Sequence, residues 1–452
     1  MKKLVIVESP AKARTIEKYL GQDYKVLATI GHIRELPKKD AIDPANDYAM
    51  TYITIPEKKE AIKKITAALK DTHEIILATD PDREGEAIAW HVSDLLKTKH
   101  AKKIEGKEIK RAVFNEISKN AVKKAVAEPR EIAMDLVESQ ETRRALDRHF
   151  GFSLSPLLWR LFPSNNHSAG RVQSPALRMI VEREKEIEAF QAQEYWSINA
   201  ELKKDVRIQV KLSSFEGKPV KKFTFSSKTI VESAAEKLEN NCKDGLIASS
   251  IVKKQIKRSP KAPFTTSSMI QEASRKLGFP PKLTMSLAGS LHGHGLITYH
   301  RTDSIGIDSS KLPDIHQKIT AFYGEKYLEK RVFKNKKGAK NIQEAHGAIT
   351  PVDINITSDE IRPHTGDSNH DAQTKLYSMI WKRTIASQMK DALFDRTSIE
   401  FKPSNNPDLA LFAFSDQELV FEGYLKATKE EVRNNPSPKI NKGQNMDFVK
   451  LI

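Results

Sequence analysis

Three acidic side chains, Asp80, Asp82 and Glu84, alternate within the stretch ATDPDREGEAIAWH (residues 78–91). Closely spaced carboxylates are ligands that Mg²⁺ takes in proteins, together with water and substrate phosphates. Acids in the first turn of a helix can also stabilise the helix through its dipole. That alternative would explain Glu84 but not an alternating triple in which Gly85 comes next, so the pattern favours a magnesium site.

A fourth acid, Glu8, lies in the stretch VESPAK (residues 7–12), at the end of another predicted strand. It is expected beside the triple, where crowded carboxylates raise one another's pKa unless a cation intervenes. That setting suits Glu8 to proton transfer, and Lys12, one helical turn later, is placed to neutralise a phosphate. Considered one at a time, Glu8 and Lys12 would each be interpreted as surface charges.

A tyrosine, Tyr299, follows the apolar run of GLITYHRTDS (residues 295–304) and precedes polar and basic side chains. Its ring could pack while its hydroxyl meets water, which is ordinary at the end of a strand. It could also react, and the stretch alone leaves both possibilities open. His346, in QEAHGAITP (residues 343–351), has no second His or Cys at metal-ligand spacing and would by itself be an ordinary solvated or core residue.

Two further runs are rich in donors and cations. Before a predicted amphipathic helix, in SAGRVQSPALR, lie Ser168, Gly170, Arg171, Gln173 and Ser174. Such groups contact a sugar–phosphate backbone, although a helix-capping loop would have the same composition. In ETRRALDRHFG, the residues at helical spacings are Arg143, Arg144, Asp147 and Arg148. Arg144 and Arg148 share a face, so their repulsion requires a phosphate or an acid, for which Asp147 is available.

The first segment of the chain alternates strand and helix patterns that would position these groups. The apolar runs of residues 4–7 and 75–78 are typical of strands buried on both faces of a parallel sheet. Helical patterns follow at residues 11–20 and 85–96. An open α/β domain of this kind binds ligands beyond the carboxyl ends of its strands, and two of the acids described above lie at such ends.

The rest of the chain changes character several times. It looks helical from 130 to 190, with a break near 163–166, and then strand-like in YWSINAEL, VRIQVKL and KKFTFSS. Helical patterns run from PFTTSS to about 390, and strand patterns return in LFDRTSIEF and LALFAF. We predict a multidomain protein that combines α/β, helical and antiparallel β domains. The predicted domains are 1–127 (α/β metal domain, with 37–63 as an excursion), 128–194 (helical, strand-binding), 195–262 (β), 263–390 (helical, carrying Tyr299) and 391–452 (the return of the β domain).

Composition restricts the class of protein. The 452 residues include 75 Lys and Arg against 59 Asp and Glu, a net charge of +16. A surplus of this size favours nucleic acid as a partner over a merely basic surface. The single cysteine, Cys242, excludes a disulfide framework and a thiolate zinc site within this chain. Since no apolar run is long enough for a signal peptide or a membrane span, we expect a cytoplasmic protein. No phosphate loop for ATP occurs.

The motifs are more specific together than singly. VIVESPAKARTIEKYL, ATDPDREGEAIAWH, SAGRVQS, PFTTSS, GLITYHRTDS and QEAHGAI occur in the order that bacterial DNA topoisomerases I, which are type IA enzymes, show. The chain resembles that family from residue 2 to about 350, and more loosely to its end. The first two motifs resemble the Toprim domain, a metal-binding α/β module also found in primases and some nucleases. The tyrosine motif separates topoisomerases from those relatives.

The resemblance implies roles for the residues described above. Tyr299 would attack a single-stranded DNA phosphodiester and hold the 5′-phosphate, and Glu8 would protonate the departing 3′-oxygen. Contacts with the attacked phosphate are implied for Arg301, Lys12 and His346. The implied Mg²⁺ ligands are Asp80, Asp82, Glu84 and Glu8. The implied DNA contacts are Arg143, Arg144, Asp147, Ser168, Gly170, Arg171, Gln173, Ser174 and Asp303.

The implied function is relaxation of negatively supercoiled DNA by a monomer, through single-strand cleavage, strand passage and religation. Because a phosphotyrosine ester replaces a phosphodiester, resealing needs no ATP. In the family these domains form a ring around a DNA-sized hole. Two alternatives stay open. One is a Toprim nuclease or primase that uses the acids without Tyr299, and the other is a fragment that binds or cleaves single strands but cannot complete relaxation.

Some positions differ from the family pattern. His300 stands where methionine is usual, Gly347 where an acid commonly follows the histidine, and Thr350 where arginine is usual. These differences concern cleavage preference and efficiency rather than reaction type. The family core also continues beyond the position of Ile452 with more helices of the basic, strand-binding domain. We therefore expect a truncated or reduced form whose ring is incomplete.

Overall fold

The computed structural model describes residues 2–39, 41–162, 167–335, 347–361, 370–432 and 438–452. The chain divides into two units, each built from three stretches of sequence. The first unit contains Met1–Glu182, Ala262–Phe322 and Lys330–Gln388, and the second contains Arg183–Lys261, Tyr323–Glu329 and Met389–Ile452. Within the described ranges, no helix is both long enough and apolar enough to cross a membrane.

The helices and the strands are each numbered in chain order. The helices are α1 (Pro10–Leu20), α2 (Lys59–Ala68), α3 (Arg83–Lys99), α4 (Ala101–Ile104), α5 (Lys119–Ala127), α6 (Met134–Leu161), α7 (Gln173–Glu188), α8 (Lys228–Cys242), α9 (Thr266–Leu277), α10 (Pro281–Gly293), α11 (Leu312–Tyr323), α12 (His370–Ser387) and α13 (Leu425–Thr428). The strands are β1 (Lys2–Val7), β2 (Tyr24–Ala28), β3 (Arg34–Glu35), β4 (Ile42–Asp43), β5 (Ala49–Met50), β6 (Ile53–Thr54), β7 (Thr72–Leu77), β8 (Glu108–Arg111), β9 (Asn199–Lys203), β10 (Arg207–Phe215), β11 (Lys218–Pro219), β12 (Leu246–Arg258), β13 (Ala392–Pro403), β14 (Ala410–Phe421) and β15 (Asn445–Leu451).

A parallel sheet in the order β2-β1-β7-β8 begins the first unit. The runs predicted as buried strands lie in β1 and β7, and Leu4 and Leu77 are fully buried there. Helix α1 begins after Ser9, whose hydroxyl accepts a hydrogen bond from the Lys12 amide at 3.3 Å. The predicted α/β class of this segment is confirmed. Two small antiparallel pairs, β3 with β6 and β4 with β5, lie in and beside residues 37–63.

Helices form most of the rest of the first unit. Helix α6 packs against α3, and the predicted break near 163–166 lies outside the described residues. The helices α9, α10 and α12 share a core, whose members include Met269, Ala273, Leu287, Leu291, Leu376 and Ile380. Tyr299 lies in the non-helical segment that follows α10.

Strands β9 to β15 form the antiparallel sheet of the second unit, in the order β11-β10-β14-β13-β12-β15-β9. Because β9 also pairs with β10, six of these strands close into a barrel. The prediction of a strand in KKFTFSS (residues 221–227) is wrong, since Phe225 forms an isolated bridge there and α8 follows. Ser227 caps α8 by accepting a hydrogen bond from the Ile230 amide at 3.4 Å. The buried residues of α8, Val231, Ala234, Leu238 and Cys242, then recur at helical spacing.

Candidate active site

The pairing of β1 with β7 builds the first part of the site. Ile6 lies opposite Leu77 in this parallel pair, so both strands end at the same edge of the sheet. Glu8 follows one strand and Asp80 follows the other. Lys12 reaches from α1 and forms ion pairs with both carboxylates, although its side chain is almost completely buried. An ammonium group therefore lies where the two strand ends meet.

The loop after β7 is held in a tight turn. Asp82 caps α3, and its Oδ1 accepts a hydrogen bond from the Gly85 amide at 2.8 Å. A Cβ atom on residue 85 would lie 2.2 Å from the carbonyl oxygen of Asp80, so this close approach requires glycine. The hydroxyl of Thr79 donates to the Gly85 carbonyl at 2.6 Å. The turn thus presents Asp80 and Asp82 from adjoining positions.

The segment that follows α10 places Tyr299 next to this turn. The backbone amide of Tyr299 donates to the carbonyl of Asn115 at 2.9 Å, and its hydroxyl donates to Asp82 Oδ2 at 2.5 Å. Gly295 makes the approach possible, because it has φ +73° and a Cβ there would lie 2.6 Å from the Ile117 carbonyl oxygen. The side chain of Tyr299 is 2% exposed. The tyrosine is therefore buried and in contact with a predicted metal ligand.

Two more cationic or polar groups complete the arrangement. Arg301 Nη1 lies 3.6 Å from Asp82 Oδ2, and the arginine side chain is 57% exposed. His292 Nε2 lies 3.6 Å from Asp80 Oδ1, and its Nδ1 lies 3.2 Å from the carbonyl oxygen of Ile297. The imidazole also meets the tyrosine ring edge-on, with ring centroids 5.4 Å apart. We name the whole set the tyrosine cluster: Glu8, Lys12, Asp80, Asp82, His292, Tyr299 and Arg301.

The electrostatics of the cluster keep the phenol protonated. Burial raises the pKa of Tyr299 far above its usual range, and the carboxylates of Asp80 and Asp82 raise it further. The guanidinium of Arg301 acts in the opposite direction but does not outweigh them. In this state the hydroxyl is a hydrogen-bond donor to a carboxylate. It becomes a nucleophile when its proton is accepted by a neighbouring group.

The two strand-end carboxyls have opposite shifts. Burial raises the pKa of Glu8 to about 7, aided by the charge of Asp80 and opposed by Lys12. Burial also disfavours ionisation of Asp80, but Lys12 and His292 outweigh it and hold the pKa of Asp80 well below its usual range. Glu8 is thus suited to hold a proton near neutral pH, while Asp80 stays ionised. This separation is the pattern expected of an acid placed beside a permanent anion.

Glu84, the third member of the predicted triple, has different partners. Its Oε2 lies 3.3 Å from His32 Nε2 and accepts a hydrogen bond from Gln140 Nε2 at 3.2 Å. Across the described parts of the chain, no three His, Cys, Asp or Glu residues lie close enough together to hold a metal ion. The donors are nevertheless hard oxygens of the kind that Mg²⁺ prefers. Glu8 Oε2 is also buried without a hydrogen-bond partner among the described residues, so the residues present fit such an ion in chemistry.

Arg111, at the end of β8, fixes the loop that carries Asp80. It is fully buried and donates hydrogen bonds to the carbonyls of Leu77 at 3.0 Å, Thr79 at 2.9 Å and Asp80 at 2.7 Å. Its Nε donates to Glu86 at 3.1 Å. A single guanidinium therefore binds three carbonyls around the turn, of which that of Leu77 also accepts a hydrogen bond from the Ala112 amide at 2.9 Å.

The family is decided by comparison with known proteins. Residues 131–452 match the sequence model of a family described as DNA topoisomerase, and residues 3–117 match that of the Toprim domain. The chain belongs to the type IA DNA topoisomerase family. Glu8, Asp80 and Asp82 lie within the Toprim match, and Tyr299 lies within the other match. The hydrogen bond from the tyrosine to Asp82 thus joins the two matched regions.

Individual relatives agree with this assignment. DNA topoisomerase 1 of Xylella fastidiosa (strain Temecula1) is 42% identical over 460 residues, which cover 99% of this chain and 55% of that protein. DNA topoisomerase 1 of Rickettsia felis is 42% identical over 443 residues, covering 95% of this chain and 55% of that protein. The structure of full-length topoisomerase I from Thermotoga maritima superposes with a TM-score of 0.81 at 33% identity, covering 99% of this chain and 71% of that one. The chain spans little more than half the length of these two curated relatives.

Most of the predicted DNA contacts of the topoisomerase chain lie on an exposed surface, which we name the α6–α7 strip: Arg143, Asp147, Ser168, Gly170, Arg171, Gln173 and Ser174. Arg171 donates to the two carboxylate oxygens of Asp147 at 2.7 and 3.1 Å, whereas Arg143 Nε lies 4.0 Å from that carboxylate. Gln173 Nε2 donates to the carbonyl and the hydroxyl of Ser168 at 2.6 and 2.8 Å. The strip is therefore organised by bonds among its own members.

The other residues that the sequence singled out have different partners. The guanidinium of Arg144 lies 6.0 Å from the Tyr52 ring. Arg148 donates to the carbonyl of Lys38 at 2.7 Å and covers the Phe152 ring at 4.4 Å, so a backbone carbonyl and a ring, rather than an acid, are its partners here. Asp303 is exposed. His346 lies outside the described residues.

The positions that depart from the family pattern fall close to Tyr299. His300 is 8% exposed, and burial, with the neighbouring His292, lowers its pKa to about 3. Its Nδ1 is buried and has no hydrogen-bond partner among the described residues. Thr350 is buried as well, and its amide donates to Thr298 Oγ1 at 2.9 Å. His300 and Thr350 are therefore both part of the buried packing around the tyrosine segment.

Several residues of the site were not found from the sequence. They are His292, His32, Gln140 and Arg111. His32 follows β2, which neighbours β1, so the rule that places ligands at strand ends could have found it. His292, Gln140 and Arg111 carry no local signal, because their partners lie far away along the chain.

Proposed function

We propose that this chain cleaves one strand of DNA transiently as a type IA topoisomerase, acting on single-stranded segments of negatively supercoiled duplex without ATP. The observation that carries the proposal is the hydrogen bond from the Tyr299 hydroxyl to Asp82 inside a cluster that also contains Glu8 and Lys12. A merely structural tyrosine would have no need of an acid, a cation and a raised carboxyl pKa beside it. We expect the protein to act as a monomer in the cytoplasm.

The proposed step exchanges one phosphate ester for another. Tyr299 Oη forms a bond to phosphorus, and the bond from phosphorus to the 3′-oxygen breaks. The phenolic proton passes to Asp82, which already accepts its hydrogen bond, while the proton held by Glu8 passes to the 3′-oxygen. Religation reverses both transfers. Since the ester is conserved as a 5′-phosphotyrosine, the reaction needs no outside source of energy.

The cations of the cluster would stabilise the attacked phosphate. Arg301 is exposed and lies beside Asp82, so it can donate charge-assisted hydrogen bonds to a phosphate that enters from solvent. Lys12 is buried between carboxylates and supports the anionic site from within. Mg²⁺ held by Asp80, Asp82 and Glu84 with Glu8 would supply positive charge that offsets these carboxylates and the phosphate.

The test is capture of the covalent intermediate. A single-stranded oligonucleotide labelled at its 3′ end is incubated with the protein and Mg²⁺, then denatured and separated by electrophoresis. We expect the label to migrate with the protein, and a 5′ label to be released, because the 5′-phosphate stays on the tyrosine. Tyr299→Phe removes one hydroxyl and should abolish the adduct.

A matched control guards against loss of folding. Tyr377 is also buried in the first unit, and its hydroxyl donates to the Ile356 carbonyl at 2.8 Å, so Tyr377→Phe should form the adduct at the normal rate. Absence of an adduct with folded wild-type protein would overturn the proposal. Cleavage that persists in Tyr299→Phe would instead support a Toprim nuclease, and an adduct without relaxation of circles would mean that this chain cleaves but does not pass strands.

A further inference from the structure

Ile30 has an unusual backbone conformation for its residue type. Its φ is +60°, in the left-handed region, where a side chain branched at Cβ meets the backbone. The other described non-glycine residues with positive φ are Asp47, Tyr48, Glu216 and Lys429. None of these is β-branched, and the first two lie in the tight turn between β4 and β5. Strain of this kind persists where surrounding bonds impose it, and it is concentrated at functional sites.

The bonds that impose the conformation come from the active site itself. On one side of Ile30, the Thr29 amide donates to the Val7 carbonyl at 2.9 Å. On the other, the Gly31 amide donates to the Glu8 carbonyl at 2.8 Å. One residue later, His32 contacts Glu84. The segment is thus fastened at both sides to the end of β1, so Ile30 cannot relax without moving the backbone of Glu8.

The Ile30 side chain is only partly covered in this arrangement. It is 54% exposed, and nothing lies within 4 Å of the position a Cβ would take on Gly31, so open space adjoins it. An exposed isoleucine is ordinary by itself. The strained conformation of Ile30 is destabilising. Its carbonyl accepts a hydrogen bond from Lys58 Nζ at 2.6 Å, but that bond is made by the backbone and gives the isoleucine side chain no role.

We propose that Ile30 is a nucleobase-contacting residue, which packs against a base of the single DNA strand next to the attacked phosphate. This inference rests on the proposed function. The charged groups of the tyrosine cluster suit phosphate and offer nothing to the apolar face of a base, whereas an aliphatic side chain does. Apolar side chains, isoleucine among them, insert against the bases of DNA in protein complexes. Such a contact needs no particular sequence, because every base has an apolar face.

The test combines protein and DNA changes. Affinity for a fluorescent single-stranded oligonucleotide is measured by anisotropy for wild type, Ile30→Ala and Ile30→Gly, with a series of oligonucleotides that carry one abasic site at each position in turn. We expect both variants to bind the intact oligonucleotide about three- to tenfold more weakly. One abasic position should weaken wild type by a similar factor and should leave the variants unaffected, because their side chains do not reach that base. Ile53→Ala, at an exposed isoleucine of β6, should behave as wild type.

Thermal unfolding separates a binding role from a structural one. Ile30→Gly removes the left-handed strain, so its unfolding midpoint should rise while its DNA affinity falls. A lower midpoint for Ile30→Gly, or equal abasic penalties in wild type and Ile30→Ala, would overturn the assignment. If wild type forms the covalent adduct and Ile30→Ala binds every oligonucleotide as tightly as wild type does, the base contact fails while the proposed function stands. If wild type forms no adduct, the proposed function fails first.

Discussion

The tyrosine cluster and the α6–α7 strip both contain acids paired with cations, in opposite surroundings. In the cluster, Lys12 is 4% exposed and Tyr299 is 2% exposed. In the strip, the side chains of Arg171 and Asp147 are 39% and 47% exposed. Charges that interact in a buried setting are screened little, whereas water and salt weaken the exposed pair.

Because of this difference in burial, the pKa values of the cluster are strongly shifted, whereas that of Asp147 in the strip is shifted less. Inside the cluster, burial raises the pKa of Glu8 to about 7 and makes the phenol of Tyr299 a poor acid. On the strip, the chief effect is that the Arg171 guanidinium lowers the pKa of Asp147 somewhat, which leaves it the ordinary anion it would be in water. The same residue types can therefore hold protons in one region and only attract or repel DNA in the other.

Lys12→Met should have the largest effect on stability, because it leaves two largely buried carboxylates without their shared cation. We expect the rate of adduct formation to fall about 10²- to 10³-fold and the free energy of unfolding to fall by about 3–5 kcal/mol. Single-turnover cleavage and urea denaturation measure the two effects. Lys18→Met, at an exposed lysine of the same helix, should change stability by less than about 0.5 kcal/mol. Equal stabilities for the two variants would break the distinction between buried and exposed pairs.

Glu8→Gln is the next prediction, and it should change how the rate of adduct formation depends on pH. If Glu8 gives its proton to the 3′-oxygen, adduct formation should slow as pH rises through about 7, since the protonated fraction is lost. The glutamine variant should be about 10²- to 10⁴-fold slower and should lack that decline. The control is Glu17→Gln, at an exposed glutamate of α1, which should keep the decline of wild type.

The raised pKa of Glu8 should also make the free energy of unfolding depend on pH. The carboxyl of Glu8 loses its proton near 4.5 when unfolded and near 7 when folded, so between those values the folded state holds more protons. The free energy of unfolding should therefore decrease as pH rises across that interval, and this contribution should vanish in Glu8→Gln. Measurement with a chelator present keeps metal binding out of the comparison. An unchanged pH dependence in the variant would assign the raised pKa to another group.

The pair of Lys311 with Glu116 tests intermediate burial. Its side chains are 15% and 21% exposed, and both residues line a cleft of about 990 Å³ beside Tyr299. Lys311→Glu and Glu116→Lys should each destabilise the protein, and the double swap should recover about 1–2 kcal/mol as coupling energy. A coupling as small as that of a surface pair, about 0.5 kcal/mol or less, would place this pair with the strip instead of the cluster.

Much of the cluster could be predicted because it depends on local patterns and one rule of topology. The apolar runs of β1 and β7 are too continuous for half-exposed strands, and parallel strands end at the same edge. Those two facts suffice to bring Glu8 near Asp80. The tyrosine required the order of the motifs as well, since no pattern within its own stretch distinguishes packing from reaction.

The remaining parts depend on contacts between distant segments. Arg111 reaches the carbonyls of the Asp80 loop only because β8 lies next to β7, and His292 meets Asp80 only because α10 packs near α1. Neither residue has a sequence context that differs from an ordinary surface or core position. The start of helix α8 is hidden for a local reason: the alternation in KKFTFSS resembles a strand, although Ser227, which ends it, is a good helix cap.

Arg171→Ala should have the smallest effect on folding and still be informative about DNA. Because the pair with Asp147 is exposed, the free energy of unfolding should change by less than about 0.5 kcal/mol. If the strip contacts the backbone of a single strand, affinity should fall and the salt dependence of binding should weaken by about 0.7 in the logarithmic slope for each phosphate that the variant no longer neutralises. Asp147→Asn should do the reverse, since it releases Arg171 from its carboxylate and removes a charge that repels phosphate.

Arg178→Ala provides the matched control, because Arg178 lies on α7, is 79% exposed and pairs with Glu182. If Arg171→Ala and Arg178→Ala weaken binding equally, the strip is no more than part of a generally basic surface. Suppose instead that the two variants differ in the salt dependence of binding and that Asp147→Asn tightens binding. The exposed pair of the strip then contributes to DNA binding, whereas the buried pairs of the cluster contribute to proton transfer.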